Sequence, residues 1–240
     1  MKFWKFINKA ENEPVELYIE GDIVDDEDIW IYEWFGEDAT APNAFKEELS
    51  EFTGRDITVW IDSYGGSVFA GASIYNALKE HNGKVTVKID GKAMSAASVI
   101  AMAGDEILMS PVALMMIHNP LTGVYGDMHD LRKVANVLDE VKESIINAYV
   151  NKTGRSHDDI SAMMDDEMWM SANVAVKEGF ADGVLYSDEP IQVENMKEFS
   201  FNRLKVANNT KDSLKQVVEK MKVKNQSNEK ERLLMELDLI

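Results

Sequence analysis

The chain has 240 residues, 45% of them hydrophobic and 28% charged, enough to bury a substantial core as one large domain or two small ones. Its 25 basic and 43 acidic residues leave a formal charge of −18, a field that repels nucleic acid. The absence of cysteine excludes disulfides, thiol catalysis and thiolate metal sites, and fits a cytoplasmic protein.

From the N-terminus, "MKFWKFINKAENEP" (1–14) has only a broken apolar patch, not the continuous apolar run and small-residue cleavage site of a secretory signal. "VELYIEGDI" (15–23) alternates apolar and polar residues as a half-buried strand does. After an acidic stretch, "NAFKEELSEF" (43–52) has helical spacing and "DITVWIDS" (56–63) reads as a strand. "GGSVFAGASIYNALKEH" (65–81) begins with glycines and becomes helical, with Val68, Ile74, Ala77 and Leu78 on one face and Gly83 as its stop. The strand "KVTVKID" (84–90) precedes "GKAMSAAS" (91–98) and a helical "SVIAMAG" (98–104). "EILMS" (106–110) and "ALMMIHNP" (113–120) predict two short strands.

A long amphipathic helix is predicted over 127–152, its stripe made by Leu131, Val134, Val137, Leu138, Val141, Ile145 and Tyr149. Ser156 is the expected N-cap of another helix, with Asp159 three residues on. "SANVAVKEGFADGVL" (171–185) predicts a short helix ended by Gly179, then a final strand. No run of about 18 apolar residues occurs, so no spanning helix is expected. Strand–helix alternation up to 185 argues for one α/β domain of repeated β-β-α units. The expected organisation is an N-terminal segment (1–14), a main domain (15–190) and a C-terminal extension (191–240). That extension is read as a linker and an amphipathic helix, "EKERLLMELDLI", or equally as a loosely ordered tail.

Ser95 lies among glycine, alanine and methionine, in a packing seam or in a turn that presents one hydroxyl. A serine nucleophile needs a base, usually a histidine oriented by a carboxylate. The four histidines are 81, 118, 129 and 157, and none has the H-x-x-x-H spacing of a zinc motif. His118 ends an apolar strand before an Asn-Pro pair, where burial alone favours a structural role. His81 suits a helix C-terminus, and His129 and His157 fall in polar helix starts facing solvent. Gly65 and Gly66 follow a strand directly and could turn backbone N–H groups toward an oxyanion, or simply make a tight turn. They belong to no phosphate-binding motif. Asp165, Asp166 and Glu167 sit between methionines and Trp169, as a solvated helix end or a partly buried, oriented carboxylate.

Four stretches in order, "WIDSYGGSVFAGASIYNAL", "GKAMSAASVIAMAG", "MMIHNPLTG" and "WMSANVAVKEGFADGV", make residues 15–187 resemble ClpP, the proteolytic subunit of the Clp protease. The resemblance implies the ClpP/crotonase fold, an α/β spiral of β-β-α units, and a serine endopeptidase without cofactor or metal. By position it makes Ser95 the nucleophile, His118 the general base, and the N–H groups of Gly66 and Ala96 the oxyanion hole. Gly65, Ser67 and Val68 would pair with an extended substrate. The third catalytic position falls on Glu167, where the family has aspartate, with Asp166 as the alternative acid. Tyr64 stands where the family has proline.

The resemblance further implies a protein or peptide substrate and a homo-oligomeric ring, hexamer or heptamer, with stacked rings as a further option. It implies neither a nucleic-acid nor a membrane partner. The family's N-terminal axial loops find no match in residues 1–14, which leaves docking to an AAA+ unfoldase open. The short N-terminus and C-terminal extension look like the ClpP-related phage head maturation (prohead) proteases, which would place the enzyme on capsid or scaffold protein in an assembling head. The alternatives are the proteolytic subunit of an ATP-dependent Clp protease, a crotonase-type acyl-CoA enzyme, a Ser–Lys peptidase using Lys88 or Lys92, and a catalytically idle scaffold ring.

Overall fold

The computed structural model describes residues 4–7, 13–28, 31 and 39–186. The expected linker and terminal helix of 191–240 lie outside the described residues.

Alternation in the sequence becomes one mixed sheet. Strands β1 (Trp4–Ile7), β2 (Val15–Ile23), β4 (Ile57–Gly66), β5 (Val85–Met94), β6 (Glu106–Met109) and β9 (Gly183–Val184) run in the order β1-β2-β4-β5-β6-β9. β1 is antiparallel to β2 and the rest of that path is parallel. The short β3 (Ala39–Thr40) pairs with the end of β2. Val15, Leu17 and Ile19 of β2, Ile57, Val59 and Ile61 of β4, and Val85, Val87 and Ile89 of β5 are buried on the core side, as period-2 patterning requires.

Halfway along, β5 changes partner. Thr86–Ile89 pair with β6, whereas Lys92–Met94 pair with β7 (Leu114–Ile117), which is in turn antiparallel to β8 (Met168–Ser171). The registers of β2 with β4 and of β4 with β5 shift at the same level, between Glu20 and Asp22 and between Ile61 and Ser63. Irregularities of this kind bend strands and re-aim the residues that follow. Here those residues are the carboxyl ends of β4 and β5, where open parallel sheets carry their sites.

Helices α1 (Pro42–Ser50), α2 (Val68–Lys79), α3 (Ala96–Ala101), α4 (Met128–Thr153), α5 (His157–Asp165) and α6 (Ala172–Glu178) connect the strands. Their ends follow local chemistry. Ser67 caps α2 by accepting from the Ala70 N–H, Asp127 and Asp130 form a capping box on α4, and Ser156 caps α5 through the Asp159 N–H as expected. Gly179 closes α6 in the left-handed conformation.

Three differences from the sequence-based expectation have local causes, and the burial of α4 adds a detail the sequence left open. Trp4–Ile7 adds an edge strand that a four-residue pattern is too short to reveal. β8 hides among methionines and acids that read equally as a helix end. α2 begins at Val68 rather than at the glycines, because both glycines finish β4. The stripe on α4 is covered only toward its C-terminus, by burial of Ile145, Ile146, Ala148 and Tyr149; Leu131 and Val137 are about half exposed, at 48% and 57%.

Candidate active site

The site is built where β5 ends. Ser95 follows Met94 and precedes α3 with φ 54° and ψ −126°, a conformation that L-residues adopt only under constraint, at a cost on the order of 1–3 kcal/mol. Backbone bonds hold it there. Its N–H donates to the Met116 carbonyl of β7 at 3.0 Å, and its carbonyl accepts from the N–H groups of Ser98 at 2.9 Å and Val99 at 3.3 Å. Ala93, Ala96 and Ala97 around it are all buried, so the small residues let α3 start tight against the sheet, as the sequence suggested. The same turn therefore serves as packing seam and as pedestal for one partly exposed hydroxyl.

The glycine pair lies against this turn. A Cβ on Gly65 would sit 2.5 Å from the Met94 carbonyl oxygen, 2.8 Å from Ser95 Cβ and 2.9 Å from the Ala96 nitrogen, so only glycine fits. Gly66 has φ 148°, and a Cβ there would lie 2.0 Å from the Ile23 carbonyl oxygen. The Gly65 N–H is committed to Ser63 Oγ at 3.0 Å and the Ser67 N–H to the Ile23 carbonyl at 2.7 Å. Gly66 lies exposed between these two committed amides. Ser67 also donates from its hydroxyl to Asp25 at 2.9 Å, and Val68 beside it is half-buried.

Register supplies the remaining members. Met94 pairs with Met116, so Ser95, one residue past β5, and His118, one residue past β7, follow the ends of two paired strands; neighbouring strands are ~4.8 Å apart. Ile117 pairs with Met168 at the end of the antiparallel β7–β8 ladder, and His118 and Glu167 are the residues next to that pair on the two chains. His118 is buried at 8% exposure. Glu167 is half-buried with φ 51°, its N–H bonded to the Met164 carbonyl, and Trp169 Nε1 reaches its carboxylate at 3.4 Å. Ser95, His118 and Glu167 thus come from three adjacent strand ends.

The other carboxylates lie elsewhere. Asp166 is the exposed C-cap of α5. Asp165 accepts from Asn119 Nδ2 and Lys142 Nζ, each at 2.7 Å, and these bonds hold its carboxyl below the usual carboxylate range. The two lysines considered as alternative bases are engaged on the polar side of β5. Lys92 is ion-paired with Asp62 at 2.6 Å and lies over the Tyr64 ring, and Lys88 lies over the Trp60 ring.

Residues 46–188, more than half of the chain, match the family model described as Clp protease. The chain belongs to the Clp protease family. It is 38% identical over 138 residues to "ATP-dependent Clp protease proteolytic subunit 1" of Chlamydia muridarum, covering 56% of this chain and 72% of that protein. It is 34% identical over 134 residues to "ATP-dependent Clp protease proteolytic subunit" of Bacteroides fragilis, covering 55% of this chain and 65% of that protein. Membership makes the chain a serine peptidase of the ClpP type, and the mixed sheet with its covering helices is the α/β architecture expected of that fold.

Three contributors escaped the sequence reading of this Clp-family site. Ser63 is fully buried and bonds both the Gly21 carbonyl and the Gly65 N–H, which sets the glycine turn. Ser98 and Tyr149 share a buried hydrogen bond of 2.9 Å behind Ser95. Burial raises the Tyr149 phenol above its ordinary value and keeps it neutral. Ser63 and Ser98 carry no pattern that marks a serine as buried, so only the folded contacts expose them.

Proposed function

We propose that the chain is the proteolytic subunit of a serine endopeptidase whose catalytic residues are Ser95, His118 and Glu167. Ser95 Oγ attacks the scissile carbonyl carbon while His118 takes its proton. The oxygen that becomes negative accepts from the N–H groups of Gly66 and Ala96. Collapse breaks the C–N bond, His118 returns the proton to the leaving amine, and water hydrolyses the resulting acyl-enzyme by the same route. Glu167 orients the imidazole and stabilises its charged form. Gly65, Ser67 and Val68 at the end of β4 align an extended substrate strand. The observation that carries this reading is the paired register, which sets Ser95, His118 and Glu167 on the ends of β5, β7 and β8. The test is degradation of an unfolded protein by the full chain and by His118→Ala. Loss of turnover by about 10³-fold or more in a variant with unchanged melting is expected, and retained turnover contradicts it.

The uncovered half of α4 supports a homo-oligomeric ring, hexamer or heptamer, alone or stacked, in which these apolar residues meet a second copy. The relatives' description as ATP-dependent proteolytic subunits supports work with an AAA+ unfoldase in the cytoplasm. The charge of −18 and the chain beyond the matched region are compatible with the other role, head maturation on phage capsid or scaffold protein. The two part on ATP. Cleavage of a folded substrate in extract only when ATP is supplied supports the unfoldase partner, and ATP-independent cleavage of a co-expressed capsid protein supports head maturation.

A further inference from the structure

Two buried hydroxyls behind Ser95 have no part in the scheme above. Ser98 Oγ donates to the Ser95 carbonyl at 2.6 Å and lies 2.9 Å from Tyr149 Oη. A serine hydroxyl carries one proton. With that proton given to the Ser95 carbonyl, Tyr149 must donate into Ser98 Oγ, and the chain runs Tyr149 O–H, Ser98 O–H, Ser95 C=O. Both side chains are sealed from water, at 1% exposure for Tyr149 and 0% for Ser98, and the Tyr149 ring packs on Phe180.

The carbonyl that ends this chain belongs to the Ser95–Ala96 peptide. A trans peptide is a rigid plane whose C=O and N–H point in opposite directions. Fixing the carbonyl on the α3 side therefore fixes the direction of the Ala96 N–H on the other. Three donors converge on that one oxygen: the Ser98 N–H, the Val99 N–H and the Ser98 hydroxyl. Ser95 needs such restraint, because at φ 54° its ψ of −126° is unfavourable and would relax by rotation of this peptide. Bonds accepted at the carbonyl also polarise the peptide and strengthen its N–H as a donor.

We propose that Ser98 and Tyr149 are positioning residues for peptide hydrolysis: through their hydroxyl chain they lock the plane of the Ser95–Ala96 peptide and aim the Ala96 N–H at the developing oxyanion. The proposal rests on Ser95 as nucleophile and Ala96 as oxyanion donor. Mutual satisfaction of two buried hydroxyls would account for the 2.9 Å contact alone. It would not account for the Ser98 proton going to the peptide that carries the oxyanion donor.

The experiment compares the full-length chain with Tyr149→Phe, Ser98→Ala and the double variant, using a fluorogenic peptide and a peptide boronic acid. The boronate forms a tetrahedral adduct that draws on the same donor as the transition state, whereas KM does not. Each single variant should lose about tenfold in kcat with KM unchanged, and boronate affinity should weaken by the same factor. The double variant should fall no further than Ser98→Ala, because both act through one chain. Wild-type kcat and boronate affinity in the folded variants, whatever their melting temperatures, would overturn the proposal, as would losses that multiply. Turnover that survives Ser95→Ala would instead remove the nucleophile assignment, a result readable without the other variants.

Discussion

The turn around Ser95 and the N-terminal half of α4 are opposite solutions to the placement of apolar residues. From Ala93 to Gly104 every residue except Ser95 is buried, and the one exception presents a hydroxyl. From Leu121 to Lys133 every residue is exposed, including Leu121, Val124, Tyr125, Met128 and Leu131. The first region is complete within one chain, since its backbone is held by β7 and α3. The second leaves its apolar side chains exposed. Tyr149, from the buried C-terminal part of α4, joins that helix to the first region by its bond to Ser98 behind the nucleophile.

The sharpest way to break the complete region is Gly65→Ala. The added Cβ meets backbone at 2.5 Å and Ser95 Cβ at 2.8 Å, and the residue must keep φ 95°. Loss of about 10³-fold in the acylation rate by a fluorophosphonate is expected, together with about 1–3 kcal/mol of stability in denaturant. Next comes the carboxylate pair. Glu167→Gln should lower kcat by about 10²-fold, whereas Asp166→Asn, exposed at the end of α5, should stay within about twofold, both read with a peptide substrate. The reverse order would move the acid to Asp166.

The incomplete region is probed by Leu131→Asp with Val137→Asp. Covering each such side chain contributes ~1.5–3 kcal/mol to association, so the pair should shift the assembly toward monomers in sedimentation while far-UV dichroism is unchanged. An unaltered assembly would place its contacts on another face. The smallest effect is a pH dependence at the buried end of α4. Burial raises the Tyr149 phenol above its ordinary value of about 10, so the folded chain keeps a proton that the unfolded chain releases above that pH. Stability from this group is full below pH 10 and falls as pH rises beyond it, by up to about 1.4 kcal/mol per unit. Tyr149→Phe should flatten that slope in urea titrations between pH 9.5 and about 11.

Much of this organisation was legible in the sequence because it is local or periodic. The β2, β4 and β5 strands announce themselves by alternation, Ser156 by its capping distance, and Gly65, Gly66, Ser95 and His118 by motifs in order. Register was not legible. That His118 and Glu167 flank the same end of the β7–β8 ladder follows from the pairing of Ile117 with Met168, which no pattern in "MMDDEMWMSA" encodes. Burial of Ser63, Ser98 and Tyr149 depends on contacts 42 and 51 residues apart in sequence. The α4 stripe was read as amphipathic, but how much of it the chain buries was not legible, since periodicity reports an apolar face and not what lies against it.

The central claim is that Ser95 is the nucleophile of this Clp-family peptidase. Reaction of the full-length chain with a fluorophosphonate, followed by peptide mapping, should place a single adduct on Ser95, with none in Ser95→Ala and a slowed reaction in His118→Ala. An adduct on any other serine, or undiminished labelling of a folded Ser95→Ala variant, would contradict it.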